Sequence, residues 1–209
     1  MMKVYEFKGF PNPARVRMAL AEKGLIDEVD FIQVDLPGGE HQTETFLAKN
    51  PSGAVPVLEL EDGTLISESV AITEYLDNLD GSPVLTGETP KERGVISMLQ
   101  RKVEVGFLDA IGAYFHHATQ GLGPKIEPYQ VAEWGEKQRE KAVITLHWME
   151  TILKNQDFLA GDKFTVADVT AHAGFLFAGF VKLEIPANCP NVKKYADNLA
   201  NRESAAVAA

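Results

Sequence analysis

Apolar positions repeat with two different periods along the chain. Up to about residue 80 the two periods interleave. Residues 3–7 and 28–34 read as strands, and residues 13–23, closed by Gly24, read as a helix between them. A helical turn is expected over 43–49. Val57, Leu58 and Leu60 around Glu59 predict a half-buried strand, Asp62-Gly63 a tight hairpin turn, and Leu65-Ile66 the returning strand. Val70, Ile72, Tyr75, Leu76 and Leu79 then fall at helical spacing, so a helix starts inside Ser67-Glu68-Ser69. This order predicts a small α/β sheet domain over 1–80. Residues 80–90, DGSPVLTGETP, are rich in turn formers and mark 81–90 as a linker. Beyond Lys91 only the helical period remains, over 92–118, 133–154, 166–181 and 191–200, so residues 91–209 form an all-helical domain.

Composition narrows the class. The chain has 209 residues, of which 45% are hydrophobic, and a formal charge of −10. That charge argues against nucleic acid, which needs clustered Lys and Arg. The single cysteine, Cys189, excludes an internal disulfide framework, and no Cys-x-x-Cys offers a dithiol redox pair. The opening MMKVYEFKGF lacks an apolar core of signal-peptide length and no later run is long enough for a bilayer, so no membrane association and a cytoplasmic address are expected.

The chemistry concentrates in residues 50–76, NPSGAVPVLELEDGTLISESVAITEYL. The first N–H groups of the helix at Ser69 lack intrahelical partners and carry partial positive charge, which suits a carboxylate. Glu68 beside them suits an ammonium, so the pair fits the zwitterionic end of an amino acid. Pro56 cannot donate to a sheet. With a cis Val55-Pro56 bond, the Val55 N–H and C=O could face outward and pair with an extended peptide. Taken singly, these are also ordinary turn, hairpin and cap signals.

In this order the stretch resembles the glutathione-binding half of the cytosolic glutathione S-transferases, whose pattern runs NP-x-G-x-VP-x-L, DG, then L-x-ES-x-AI-x-x-YL. The similarity also covers KVYEF, NPARVRMALAEKGL, GEHQTETFLAKNP and FLAGDKFTVADVTAHAG, nearly the whole chain. The resemblance implies a thioredoxin-like domain carrying glutathione as co-substrate, an all-helical domain, and a second substrate, a small hydrophobic electrophile, in the cleft between them. It also implies a homodimer, a detoxifying transferase activity and no metal. Val55 and Pro56 would meet the peptide backbone, Glu68 and Ser69 the γ-glutamyl end, and His41 with Gln42 the glycine carboxylate. Thr165 and Asp168 match the family's buried helix cap, a stability device.

The reaction turns on the group that faces the sulfur. A free thiol titrates at about 8.5, and its thiolate is the nucleophile. Many family members place a serine donor shortly before the first helix. Here that position holds Phe10, in Phe10-Pro11-Asn12-Pro13-Ala14-Arg15-Val16-Arg17, and phenylalanine has no donor. Asn12 is the candidate catalytic residue, because its amide can donate to a thiolate and would also touch glutathione. The same Asn-Pro step equally reads as a helix N-cap with proline at the first helical position. Tyr5 is a second candidate donor, or a packed strand residue.

For the second substrate the resemblance offers Phe10, Phe107, Tyr114 and Phe115, which equally suit helix packing or a dimer face. His116 and His117 are neighbours on a helix, point about 100° apart, and do not read as a metal pair. Two function classes stay open: a glutathione-dependent transferase, with glutathione-dependent peroxidase or disulfide reductase activity, and a non-catalytic glutathione-binding or interaction module that kept the fold.

Overall fold

β1 (Met2–Glu6) is the strand on which the first sheet is assembled. It pairs in parallel with β2 (Val29–Gln33) and antiparallel with β3 (Val57–Glu59), which pairs with β4 (Leu65–Ser67), giving the order β2-β1-β3-β4. The register sets Val4 opposite Leu58 and Tyr5 opposite Val57. Side chains alternate across a strand, so Val4 and Leu58 join one core layer and Tyr5 and Val57 the other. The first layer packs α1 (Pro11–Glu22) and α3 (Ser69–Asn78) on the sheet through Val16, Leu20, Ile72 and Leu76. The second gathers Val34, Leu36 and Phe46 of the short helix α2 (Glu44–Leu47), with Phe7, Phe10 and Val55 at its margin.

The computed structural model describes residues 1–208. The chain forms two compact units, Met1–Val84 joined by the residues from Glu203 onward, and Leu85–Arg202. The sequence pattern ran the helical domain to 209. Instead a turn over Glu203–Val207 packs on α1, burying Ala205 and donating the Ser204 hydroxyl to Glu22.

Local signals explain where α1 begins and ends. Phe10 is extended and Pro11 takes the first helical position, where a missing N–H costs nothing. The Ala14 N–H bonds the Phe10 carbonyl at 3.0 Å, so the helix opens two residues before the expected 13. At the far end Gly24, at φ +68°, lets its own N–H reach Ala21 and that of Leu25 reach Leu20.

The helical unit contains α4 (Pro90–Val103), α5 (Asp109–Ala118), α6 (Ala132–Leu153), α7 (Val166–Phe180) and α8 (Pro190–Ala200). Between α4 and α5 the helix widens to a π segment over Glu104–Leu108. There the Thr145 hydroxyl of α6 donates to the Gly106 carbonyl at 2.8 Å, and a Cβ on Gly106 would lie 2.5 Å from the Thr145 hydroxyl oxygen. Inserted side chains of this kind are a known cause of such irregularities.

Buried Asp168 ties the unit together. It accepts from the N–H groups of Leu159 and Thr165 at 2.9 and 2.8 Å, from the Thr165 hydroxyl at 2.9 Å, and from the Tyr195 hydroxyl of α8 at 2.6 Å. The expected return bond to the helix cap is therefore present, with Tyr195 added. Among the described residues no helix is long and apolar enough to cross a membrane.

Candidate functional site

The opening turn of α1 is short of donors. Pro11 and Pro13 have no N–H, and the Phe10 N–H is spent on the Phe7 carbonyl at 3.2 Å. Asn12, at the second helical position, supplies the remaining backbone N–H of that turn. Asn12 is not the N-cap, as one sequence expectation had it; Phe10 is, because the helix starts at the earlier proline. Among the described residues no capping bond holds the Asn12 side chain.

Two other residues hold it. The Arg15 guanidinium donates to Asn12 Oδ1 at 3.2 Å, and the Ser69 hydroxyl donates to the same oxygen at 3.2 Å. A guanidinium has only donors, which fixes the amide: its oxygen faces Arg15 and Ser69 and its NH₂ faces away. Arg15 and Ser69 are 1% and 5% exposed, whereas Asn12 lies at the surface. The site thus presents a backbone N–H and a side-chain NH₂ from one residue, at the positive end of a helix.

Ser69 is the first residue of α3. Glu68 before it is the N-cap, at φ +69°, ψ +117°, and its carboxylate is exposed. Positive φ is uncommon for a side chain of this kind and turns the carboxylate out beside the helix start. Buried Ser69 therefore joins exposed Glu68, its neighbour in sequence, to exposed Asn12, its hydrogen-bond partner.

On the other flank stands the loop before β3. The Val55-Pro56 bond is cis, Pro56 is buried, and Val55 precedes the first paired residue of β3. Among the described residues the Val55 backbone makes no hydrogen bond. Asn50 braces the loop, donating to the Ala54 carbonyl at 2.8 Å and accepting from the Ser52 hydroxyl at 3.0 Å. Phe10 packs with Val55 in the second core layer and meets Phe7 edge-to-face at 4.8 Å. His41 lies under the loop, its backbone carbonyl against Gly53; its ring is buried and its Nδ1 has no hydrogen-bond partner among the described residues. Gln42 beside it is exposed.

Other candidates are placed elsewhere. The Tyr5 hydroxyl donates to Glu59 at 2.6 Å, which removes it as a sulfur donor. Hydrogen bonds from Tyr5, Lys3 and Lys49, in that order of weight, hold Glu59 down to about 2. Phe107 is a correction to the expected second-substrate wall. It is wholly buried, its ring packed on Gly174 and Phe175, because the π segment drives it into the core. Tyr114 is half-buried with the Arg139 guanidinium over its ring, and Phe115 joins Phe177 and Phe180 in an aromatic cluster. His116 pairs with Glu127, and His117 accepts from the Val131 N–H at 3.2 Å. Among the described residues no three ligating side chains converge on a metal position. Cys189 is buried at the head of α8; burial first, and then the charge of Glu150, push its thiol upward.

Sequence reasoning left Arg15 out of the site. Its signal was spacing: three residues after Asn12 on one helix, it shares that residue's face.

The family model described as the N-terminal domain of glutathione S-transferase matches residues 11–79, and that of the C-terminal domain matches 111–203. The chain is 50% identical to glutathione S-transferase 2 of Saccharomyces cerevisiae over 97% of its own length and 87% of the relative's. The crystal structure of Gtt2 from Saccharomyces cerevisiae superposes with a TM-score of 0.97 at 49% identity, covering 99% of this chain and 100% of that one. A glutathione S-transferase domain-containing protein from Marinobacter aquaeolei gives 0.94 at 53% identity, covering 97% and 98%.

Proposed function

The chain belongs to the cytosolic glutathione S-transferase family, and on that premise we propose that it conjugates the thiolate of glutathione to small hydrophobic electrophiles with Asn12 facing the sulfur. Membership makes it a glutathione-dependent transferase with the thioredoxin-like and helical domains of that fold. The electrophile, the homodimer and the cytoplasmic address are part of the proposed reading.

The observation that carries the sulfur assignment is the direction of the Asn12 amide. With its oxygen held by Arg15 and Ser69, the NH₂ is left for a ligand, and the backbone N–H of the same residue lies beside it. Both would donate to a thiolate and neither could accept from a thiol, so the ionised form is favoured. Lowering the thiol by two pH units corresponds to about 2.7 kcal/mol. Around this point Val55 and Pro56 would receive the peptide backbone. Glu68 would take the γ-glutamyl ammonium, the start of α3 at Ser69 its carboxylate, and His41 with Gln42 the glycine carboxylate.

In the conjugation step the sulfur lone pair forms a bond to an electrophilic carbon and the leaving group departs with its electrons. The same thiolate would attack a hydroperoxide oxygen, breaking the O–O bond and releasing the alkoxide as an alcohol, or a disulfide sulfur, breaking the S–S bond and releasing a thiolate. Ultraviolet titration of protein-bound glutathione tests the assignment, with a panel of aryl halides, hydroperoxides and disulfides. A bound thiol that ionises below the free one, and that returns upward in Asn12→Ala together with lost turnover, is the expected result. Bound glutathione that titrates as in solution and is never consumed would leave a binding module instead.

A further inference from the structure

We infer that His117 is a latch that holds the start of α6 to the end of α5, and that it releases when its ring takes up a second proton, so that acid frees residues 128–131 and the first turn of α6 while 119–127 stay in place.

α6 begins without a cap of its own. Val131 stands at the N-cap, and among the described residues no side chain of that position bonds the helix. The Val131 carbonyl accepts from the Gly135 N–H at 3.1 Å. The Val131 N–H comes before the helical ladder and has no partner within it. Nδ1 of His117, in the last turn of α5, accepts it at 3.2 Å. The missing hold is thus supplied by another helix, 14 positions back in sequence. Gly135 sets the spacing. A Cβ there would lie 2.6 Å from Ala118 Cβ and 2.8 Å from Ala118 N, so only glycine permits so close an approach of α6 to the end of α5.

Two adjacent histidines answer acid in opposite ways. His116 Nδ1 meets one oxygen of Glu127, whose other oxygen accepts from the Leu122 N–H at 2.9 Å. An imidazole N–H donates to a carboxylate whether the ring is neutral or charged. The His117 contact runs the other way. It needs a lone pair on Nδ1, and the charged ring has none. A proton there sets one N–H against another. The hold at Glu127 therefore survives acid and its neighbour does not.

The surrounding charged groups do not replace the latch. Glu127 is taken up by His116 and Leu122. From α6, Glu133 is exposed in the first turn, and Arg139 lies over the Tyr114 ring, one turn before His117. The Gln130 amide donates to the carbonyls of His116 and Thr119 at 2.7 and 3.2 Å, an exposed tether with no titrating group. Tyr129 and Trp134, 76% and 53% exposed, lie on the part that loosens. The sign follows from linkage. The held form takes no second proton at His117, and the free form does. With an imidazole in water titrating at about 6.5, release is favoured about tenfold more at pH 5.5 than at pH 7.5.

Residue-resolved amide exchange by NMR, on the full chain at the two pH values, tests the latch. The Leu122 N–H serves as the internal control for the direct effect of pH on exchange. Relative to it, Val131 protection in the wild type is expected to fall about tenfold at pH 5.5. His117→Asn sets an amide oxygen near the place of Nδ1 with nothing to titrate, and Val131 is expected to stay protected at both pH values. His117→Ala, checked for folding by circular dichroism, is expected to expose Val131 at both. A wild-type Val131 that follows Leu122 at both pH values would overturn the inference. So would undiminished Val131 protection in His117→Ala at pH 7.5. Were His117→Asn to show the wild-type fall, a group other than His117 would be titrating; were it to lose protection at both pH values, the lone pair would not be what holds Val131. Either result removes the latch.

Discussion

The Ser69 hydroxyl and the Asn12 side-chain oxygen lie 3.2 Å apart, joining the first turn of α3 to the first turn of α1. Both helices begin at this contact, and together with the bond from Arg15 it holds the Asn12 side-chain oxygen. The isosteric change Asn12→Asp therefore separates shape from chemistry. A carboxylate could still accept from Arg15 and Ser69, but on the proposed reading it would offer the sulfur an oxygen in place of the NH₂. Turnover is expected to fall by at least about a hundredfold, the scale of losing a donor aimed at developing or fixed negative charge. Thermal melting should stay close to wild type, and steady-state kinetics beside a melting curve checks both.

Asp168 accepts from four donors in a buried site, and Tyr195 contributes the shortest of these contacts. Burial raises the carboxyl and raises the Tyr195 hydroxyl well above its ordinary range. Tyr195→Phe is expected to lose about 2 kcal/mol, a buried hydrogen bond to a charged group. Thr165→Ala should cost about 1 kcal/mol, the value of an N-cap. Urea denaturation followed by circular dichroism measures both, and unchanged midpoints would remove Asp168 from its place as a tie.

His172 lies within α7, is 3% exposed, and its Nδ1 makes no hydrogen bond among the described residues. Burial lowers its affinity for a proton below the ordinary value. The unfolded chain then binds more protons than the native one below about pH 6.5, so stability rises with pH in that window. Stability should be full above pH 6.5, fall as pH drops below it, and level off once the folded residue also protonates. His172→Leu is expected to flatten this slope in melting curves taken between pH 7.5 and 5.

Gly174 faces the ring of Phe107, and a Cβ there would lie 2.5 Å from it. Because Phe107 is wholly buried, it has little room to retreat. Gly174→Ala is expected to destabilise by about 1–3 kcal/mol, the usual cost of overpacking. Phe107→Leu in the same chain should recover part of that loss. Chemical denaturation of the two single variants and the double variant gives the coupling.

Elements built from neighbours in sequence were legible. The Asp62-Gly63 turn, the helix start within Ser67-Glu68-Ser69 and the cap at Thr165 each stand where local chemistry puts them. The start of α1 was not, because Pro11 and Pro13 are equally good first-position residues, and Phe10 carries no side-chain cap to choose between them. The π segment was hidden too: its cause, Thr145, is 39 positions from Gly106. That contact turned Phe107 from a candidate wall into core. Asn12 stood out by residue type, but the Ser69 hydroxyl that meets its side-chain oxygen is 57 positions distant, and no periodicity reports it.

The return of the chain from Glu203 to pack on α1 makes the helical unit an insertion within the first unit's sequence. It is tethered at both ends, near Leu85 and near Arg202. A chain cut after the linker would give a sheet domain lacking the segment that covers α1 and buries Ala205. The first unit is therefore drawn from both sides of the helical unit in sequence, and part of the cover over α1 comes from residues made after that unit.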